Sequence, residues 1–395
     1  MPETVTVTGI GCLCAAGDDL DEAVDSMLAG ERRVGTAPLF TADHPQPYPV
    51  FAVRSHVPIT ADDVYLRTSQ LGLKAAQQAF NQSGWDIEQL RTLRVGVCIG
   101  TTVGSTMDVE SFYTDYQQAL SPDMRPIRCF LDGNPATVIS RHFGFNGPCQ
   151  TIVNACSSGT DAIGMGSMWL QSGLCDVVLA GGADELCRTT YNGFASLQIS
   201  APVLSRPFGV DRCGLNLGEG AAVLVLESEQ VRRQRQSAAL GFIFGYGSGT
   251  DGWHLTAPHP EGRGLKQALN EVFDVSGVTV EQLAFINTHG TGTRDNDRVE
   301  SLVLGEMLPT TPFHSTKGYT GHTLGAAGAI EAAFSLAFLR RRQIPASAGF
   351  TQQDPELPVT PVTQNTMVEG NMALSESLAF GGNNAALILG RGEFV

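Results

Sequence analysis

Short runs of consecutive apolar residues alternate along the chain with longer stretches in which apolar positions recur at helical spacing. VTVTGI, RVGVCIG, TIVNAC, DVVLAGG and AAVLVLE come first, and FIFGYG, AFINTHG and AALILG follow after residue 240. Runs that are apolar on both faces suit strands covered on both sides, and their alternation with helices predicts βαβ units with buried sheets. The 45 glycines cluster as GTTVG, AGGAD, GEGAA, HGTGT, LGAAG and FGGNN rather than in one linker, so they mark tight turns between closely packed strands and helices. An α/β enzyme is the leading class.

The pattern also repeats. SGWDIEQL at 83–90 aligns without gaps onto SGVTVEQL at 276–283; each follows a predicted helix opening with Gly-Leu-Lys, at Gly72 and Gly264, and each precedes a strand. In the same order, Ala162-Ile163 after Cys156 matches Ala329-Ile330 after His322, and Ala221-Ala222 before LVL matches Ala385-Ala386 before LIL. The collinear set predicts two related halves, 1–240 and 241–395. It puts Cys156 and His322 at nearly equivalent strand-to-helix junctions, able to face each other across a pseudo-twofold axis. Between the halves, Gly245 to Gly264 is rich in Gly and Pro, and an irregular segment of this length inside a compact protein is often functional.

Charge narrows the choice. With 25 Lys+Arg against 40 Asp+Glu the formal charge is −15, which argues against a basic nucleic-acid binder, and 42% hydrophobic with 16% charged residues argues against global disorder. The N-terminus does not read as a secretory signal. The least polar stretch, Leu324 to Leu339, contains Glu331 and falls short of the roughly 20 residues that span a bilayer. A cytoplasmic protein is expected. Nine cysteines, none in a CxxC pair, read as reduced thiols, and for all but Cys156 a buried core position is expected.

Cys156 differs in its setting. In TIVNACSSGTDAIG the predicted strand ends at Asn154, and small residues surround the thiol before a helix begins, where unpaired N–H groups and the helix dipole favour a thiolate. A nucleophilic thiol needs partners. His289 in AFINTHGTGTRDND is expected at a strand tip, and His322 in STKGYTGHTLGAAG just before a helix, five residues after Lys317. Two imidazoles and a thiol could hold zinc, but no short ligand pair supports that; their N–H groups would instead suit an enolate oxygen developing from a thioester. Lys317 is either a surface lysine or half of a buried ion pair with Asp297 or Glu300. His44, His56, His142 and His314 have ordinary contexts. The loop in LAFGGNNAAL, residues 378–387, offers backbone N–H groups to an oxyanion.

Together, NACSSGTDAIG, SRPFGVDRCGLNLGEGAAVLVLE, WHLTAPHPEG, NTHGTGTRDNDRVE, STKGYTGHTLGAAG and AFGGNNAAL resemble the elongating type of β-ketoacyl-acyl carrier protein synthase, a member of the thiolase superfamily, over nearly the whole chain. The resemblance implies a thiolase-like five-layered αβαβα fold built from two related halves. It also implies decarboxylative Claisen condensation of an acyl-Cys156 thioester with malonyl-ACP, in fatty-acid, polyketide or polyene elongation. His289 and His322 would promote decarboxylation, and the N–H groups of Cys156 and Phe380 would bind the oxyanion. Lys317 matches the family's lysine and Glu300 the acidic residue that pairs with it. Thr291 and Thr293 match pantetheine contacts, and Phe380 the aromatic gate. No metal or organic cofactor is implied. The implied partners are acyl-ACP, malonyl-ACP and either an identical chain or a related subunit, with Thr101 to Tyr113 as a candidate lining of the acyl pocket.

Several positions depart from the family pattern. Ala379 stands where glycine usually precedes the gate, which predicts a stiffer hinge, and DRCGLNLGEG departs from the usual Arg-Asp-Gly-Phe at Asp211 and Arg212. The helix that commonly receives carrier protein has only scattered charge, Arg67 and Lys74; Arg125 with Arg128 and Arg32 with Arg33 are alternative basic patches. Among rival readings, a degradative thiolase needs a late second cysteine, and none follows Cys213. A starter-type synthase would carry Asn at His322. A cysteine-dependent thioester hydrolase or acyltransferase leaves His322 and Lys317 without a task, and a non-catalytic chain-length subunit would lack the nucleophile.

Overall fold

The computed structural model describes residues 4–35, 40, 44, 47–55, 66–104 and 109–392. Ten strands form one mixed sheet in the order Phe313–His314, Leu283–Asn287, Met372–Leu378, Asn383–Gly390, Gly241–Thr250, Val5–Cys14, Gly220–Ser228, Val177–Asp184, Val95–Gly100 and Cys149–Ile152. Read outward from the centre, each side repeats one scheme of two antiparallel and then two parallel pairings. The sides join where Val5, Thr6 and Val7 pair antiparallel with Ile243, Phe242 and Gly241. A duplicated unit would leave this pattern. The sheet is therefore mixed, not built from βαβ units alone.

Helices Ser158–Gln171 and Ala327–Arg341 pack on each other and on strands of both sides, making the central layer. Arg67–Ser83 and Pro135–Phe143 cover the outer face of the amino-terminal strands, while Arg263–Ser276 and Arg294–Met307 cover the other. The layers thus run α, β, α, β, α. Three apolar clusters fill the spaces: Ile163, Leu224, Ile330 and Phe334 in the centre, Ala75, Val97 and Val223 on one side, and Leu269, Ile286 and Ile388 on the other. Every residue from Ala327 to Leu339 is buried, as expected for a helix walled in on all sides, and Glu331 lies among them.

The repeated Ser-Gly has a mechanical reason. Both covering helices end on the serine, Ser83 or Ser276, and the next glycine caps the helix in the left-handed region, Gly84 at φ 71° and Gly277 at φ 68°. The first of these helices opens at Arg67, five residues before the expected Gly72, whereas the second opens at Arg263. All eight expected strands are present. Met372–Leu378 and Phe313–His314 were not expected, because the first is interrupted by Ser375, Glu376 and Ser377 and the second is two residues long. Among the described residues, no helix is long and apolar enough to cross a membrane.

Candidate active site

The strand leading to Cys156 ends at Ile152, two residues earlier than expected, and a single turn over Ala155–Ser157 feeds the central helix. Ala155 takes φ 51°; at the start of the other central helix Leu324 takes φ 52°. The same strained turn therefore occurs twice, with His322 two residues ahead of the second. The helix starts nearly touch: a Cβ on Gly159 would lie 2.8 Å from Gly325 O and 2.9 Å from Ala329 N. Buried Asp184, on a strand of the amino-terminal half, adds a link by accepting from Gly325 N across the junction and from Thr102 N of its own half, each at 2.7 Å. Only side chains without Cβ permit this approach, and it brings the thiol of one half to the imidazole of the other.

Cys156, His289, His322, Thr291, Thr293 and Phe380 line one cavity of about 560 Å³. The two imidazoles sit edge to face with centroids 5.2 Å apart, and each is 2% exposed. Burial first, and then the Lys317 charge, hold both histidines well below the usual imidazole range, so both are neutral at pH 7. Lys317 Nζ lies 3.2 Å from His289 Nδ1. An ammonium can only donate, so Nδ1 accepts and the ring's own proton sits on Nε2. Behind Lys317 stands Glu331, with Oε1 2.5 Å from Nζ, its carboxyl pushed up to about 7 by burial against the pull of the ammonium.

This corrects the expected pairing of Lys317. Neither Asp297 nor Glu300 takes the ammonium. Glu300 instead accepts from the backbone N–H groups of His289 at 2.5 Å and Gly290 at 2.8 Å, and from Asn296 Nδ2 at 3.0 Å, so it holds the turn that carries His289. Asp297 accepts from Phe208 N and lies 4.0 Å from buried Arg212, which also pairs with Asp354 at 2.5 Å. Arg212 is thus a structural cation, while Asp211 pairs with Arg206 at the surface.

The expected thiolate is also corrected. Cys156 is 4% exposed, and burial pushes its thiol up to about 12, although the Lys317 charge and the Phe380 N–H pull it down. The resting group is a thiol, and the Phe380 amide lies near enough to its sulfur to favour the anion. Ala379 is extended at φ −123°, which any residue adopts, so its methyl brings no backbone strain in this conformation; the left-handed residues of the loop are Gly381 and Gly382. The Phe380 ring stacks on Phe194, with centroids 5.6 Å apart.

Other expectations fare differently. Asp251, His254, Thr256 and Pro258 line the cavity, so the segment between the halves contributes to the site. Cys149 and Cys213 are exposed rather than core, and Cys213 lines the cavity. Arg33 pairs with Glu22 and Glu31, Arg67 with Glu219, and Arg125 with Asp123, while Arg32 donates to the carbonyls of Gly318 and Ser205, so these arginines are already engaged. Residues 105–108 of the candidate pocket lining Thr101 to Tyr113, and His56, lie outside the described residues. Among the described residues no three His, Cys, Asp or Glu side chains group as a metal site requires. The sequence reading missed Phe194, Glu331 and Glu376; for Glu331 the signal was a lone acid in an otherwise apolar helix.

Residues 2–232 match the beta-ketoacyl synthase N-terminal domain and residues 240–351 its C-terminal domain. The 3-oxoacyl-[acyl-carrier-protein] synthase 2 of Staphylococcus aureus is 31% identical over 413 aligned positions that cover 98% of each chain. The chain belongs to the β-ketoacyl synthase family of acyltransferase-type condensing enzymes. Among solved structures, the ishigamide ketosynthase/chain length factor superposes with a TM-score of 0.94 at 28% identity over the whole of both chains. A ketosynthase in complex with its chain length factor from Xenorhabdus doucetiae gives 0.88 at 31%, covering 99% of this chain and 98% of that one.

Proposed function

We propose that this protein is an elongating β-ketoacyl-ACP synthase that condenses an acyl group held on Cys156 with malonyl-ACP. The observation that carries the reading is the single cavity shared by Cys156, His289 and His322, with Lys317 buried behind them. In the first half-reaction Cys156 Sγ attacks the acyl thioester carbonyl, and the carrier's pantetheine sulfur departs with the cysteine proton. The N–H groups of Cys156 and Phe380 serve the oxyanion; the Phe380 amide lies close to the sulfur. In the second half-reaction malonyl-ACP enters along Thr291 and Thr293 and loses carbon dioxide. The enolate oxygen then receives hydrogen bonds from the neutral imidazoles, and the freed carbon attacks acyl-Cys156, expelling the cysteine sulfur as a thiolate that takes a proton from solvent to restore the resting thiol. Glu300 acts as support by fixing the His289 turn.

A division into halves near residue 240 accords with the two matched domains. A dimer, with an identical chain or a related subunit, is supported by the outer strand Cys149–Ile152, which ends the sheet, and by exposed Val153, Met165 and Met168 close by in the chain. Cytoplasmic placement accords with nine free cysteines.

The test separates the half-reactions. Cys156→Gln should abolish condensation yet retain malonyl-ACP decarboxylation, whereas His289→Ala or His322→Ala should slow decarboxylation by about tenfold to a thousandfold, the range for a lost oxyanion donor. Condensation by the Cys156 variant, or unchanged decarboxylation in both histidine variants, would contradict the reading.

A further inference from the structure

Behind the histidines lie more buried acids than one cation can balance. Glu300, Glu331 and Glu376 are all at most 2% exposed, and Lys317 is the cation that acts on all three. Glu331 takes the ammonium. A carboxylate offers about four lone-pair positions, and on Glu300 three are filled by His289 N, Gly290 N and Asn296 Nδ2.

Glu376 adjoins that vacancy. It follows Ser375, which pairs with Asn287 two residues before His289, and its side chain is within hydrogen-bonding reach of Glu300. Among the described residues no N–H or O–H group donates to either of its oxygens. An ionised carboxylate buried without a donor keeps its full desolvation penalty, whereas a neutral carboxyl carries the O–H that Glu300 lacks. We propose that Glu376 is a positioning residue that holds a proton against Glu300 and so completes the hydrogen-bond set fixing the backbone of His289 and Gly290. Burial pushes the Glu376 carboxyl well above its ordinary value, Glu300 and Glu331 push the same way, and only Lys317 opposes.

The proton itself can be observed. Asp184 and Asp297 are pushed up to about 6 and Glu331 to about 7. At about pH 8.5 all three are therefore largely ionised, so a carboxylic-acid band that remains there comes from none of them. The carboxylic-acid C=O band in the infrared spectrum of the full chain, identified by its shift in heavy water, should be present at that pH and absent in Glu376→Gln. That variant keeps an N–H donor for Glu300 and should decarboxylate malonyl-ACP within about threefold of the unaltered protein. Glu376→Leu has no donor and should lose tenfold or more in kcat with KM within about threefold, as expected when positioning rather than binding is lost.

A band that persists in Glu376→Gln overturns the proposal. So does a band missing from the unaltered protein, which would mean an ionised Glu376 held by a cation, or full kcat in Glu376→Leu. The activity readout alone rests on the ketosynthase reading. Should that reading fail, no protein in the series decarboxylates malonyl-ACP and the infrared comparison still decides the proton; should Glu376→Leu not fold, the glutamine variant decides it.

Discussion

Lys317 serves two groups at once: it donates to His289 Nδ1 and neutralises Glu331. Removing it separates these duties. Lys317→Met should slow decarboxylation by roughly ten- to a thousandfold, because the imidazole tautomer is no longer fixed and a donor supporting the site is gone. It should also destabilise the fold, more so as pH rises, since the stranded Glu331 carboxyl then takes up on folding a proton that the unfolded chain does not hold. Adding Glu331→Leu should recover urea resistance without recovering turnover; recovery of both would show that the lysine only balances charge. At this scale the sequence revealed the groups that line the cavity, because nucleophile and imidazoles sit in glycine-rich turns. It showed Lys317 and Glu300 behind them but hid two further acids. Glu331 left only the trace of a lone acid in an apolar helix, and Glu376 lies on a buried strand between two serines, where nothing local marks it as functional.

The strand Phe313–His314 ends the sheet on the carboxy-terminal side and carries a histidine that, among the described residues, has no hydrogen-bond partner on either ring nitrogen and packs against Phe285 and Phe338. Burial pushes this imidazole down to about 3. The unfolded chain binds its proton below about pH 6.5, while the folded chain refuses it until about pH 3, so this group's contribution to stability is present above pH 6.5 and is lost as pH falls through that window. At pH 5 the loss amounts to about 2 kcal/mol. His314→Phe should therefore be the more acid-resistant protein by about that amount in urea denaturation at pH 5, relative to their difference at pH 7.5. An unchanged difference between the two pH values would contradict the burial argument. The raised acids Asp184, Asp297 and Glu331 act in the opposite sense but are common to both proteins. Elements with long apolar runs were legible in the sequence. Met372–Leu378 was not, since Ser375, Glu376 and Ser377 put polar side chains on both faces of a buried strand, and Ser377 finds its partner, Thr160, only in the other half.

The whole molecule is a duplicated unit whose halves meet at three central residue pairs and at two helix starts. Duplication was legible because the repeated Ser-Gly cap is a local requirement of each half, whereas the contact between Gly159 and Gly325 is not local and left no sequence pattern that names its partner. The outer edge at Cys149–Ile152 predicts one more contact. Protein purified from its native host should sediment as a dimer, alone or with a related subunit, and Met168→Asp should shift it towards the 41.9 kDa chain. An unaltered protein that sediments as a single chain would contradict this. The central claim concerns one sulfur atom, and mass spectrometry of peptides from protein incubated with a panel of acylated carrier proteins tests it most directly. An acyl group should appear on Cys156 of the unaltered protein and be lost from Cys156→Ala; an unmodified Cys156, or an acyl group carried by exposed Cys213 instead, would contradict it.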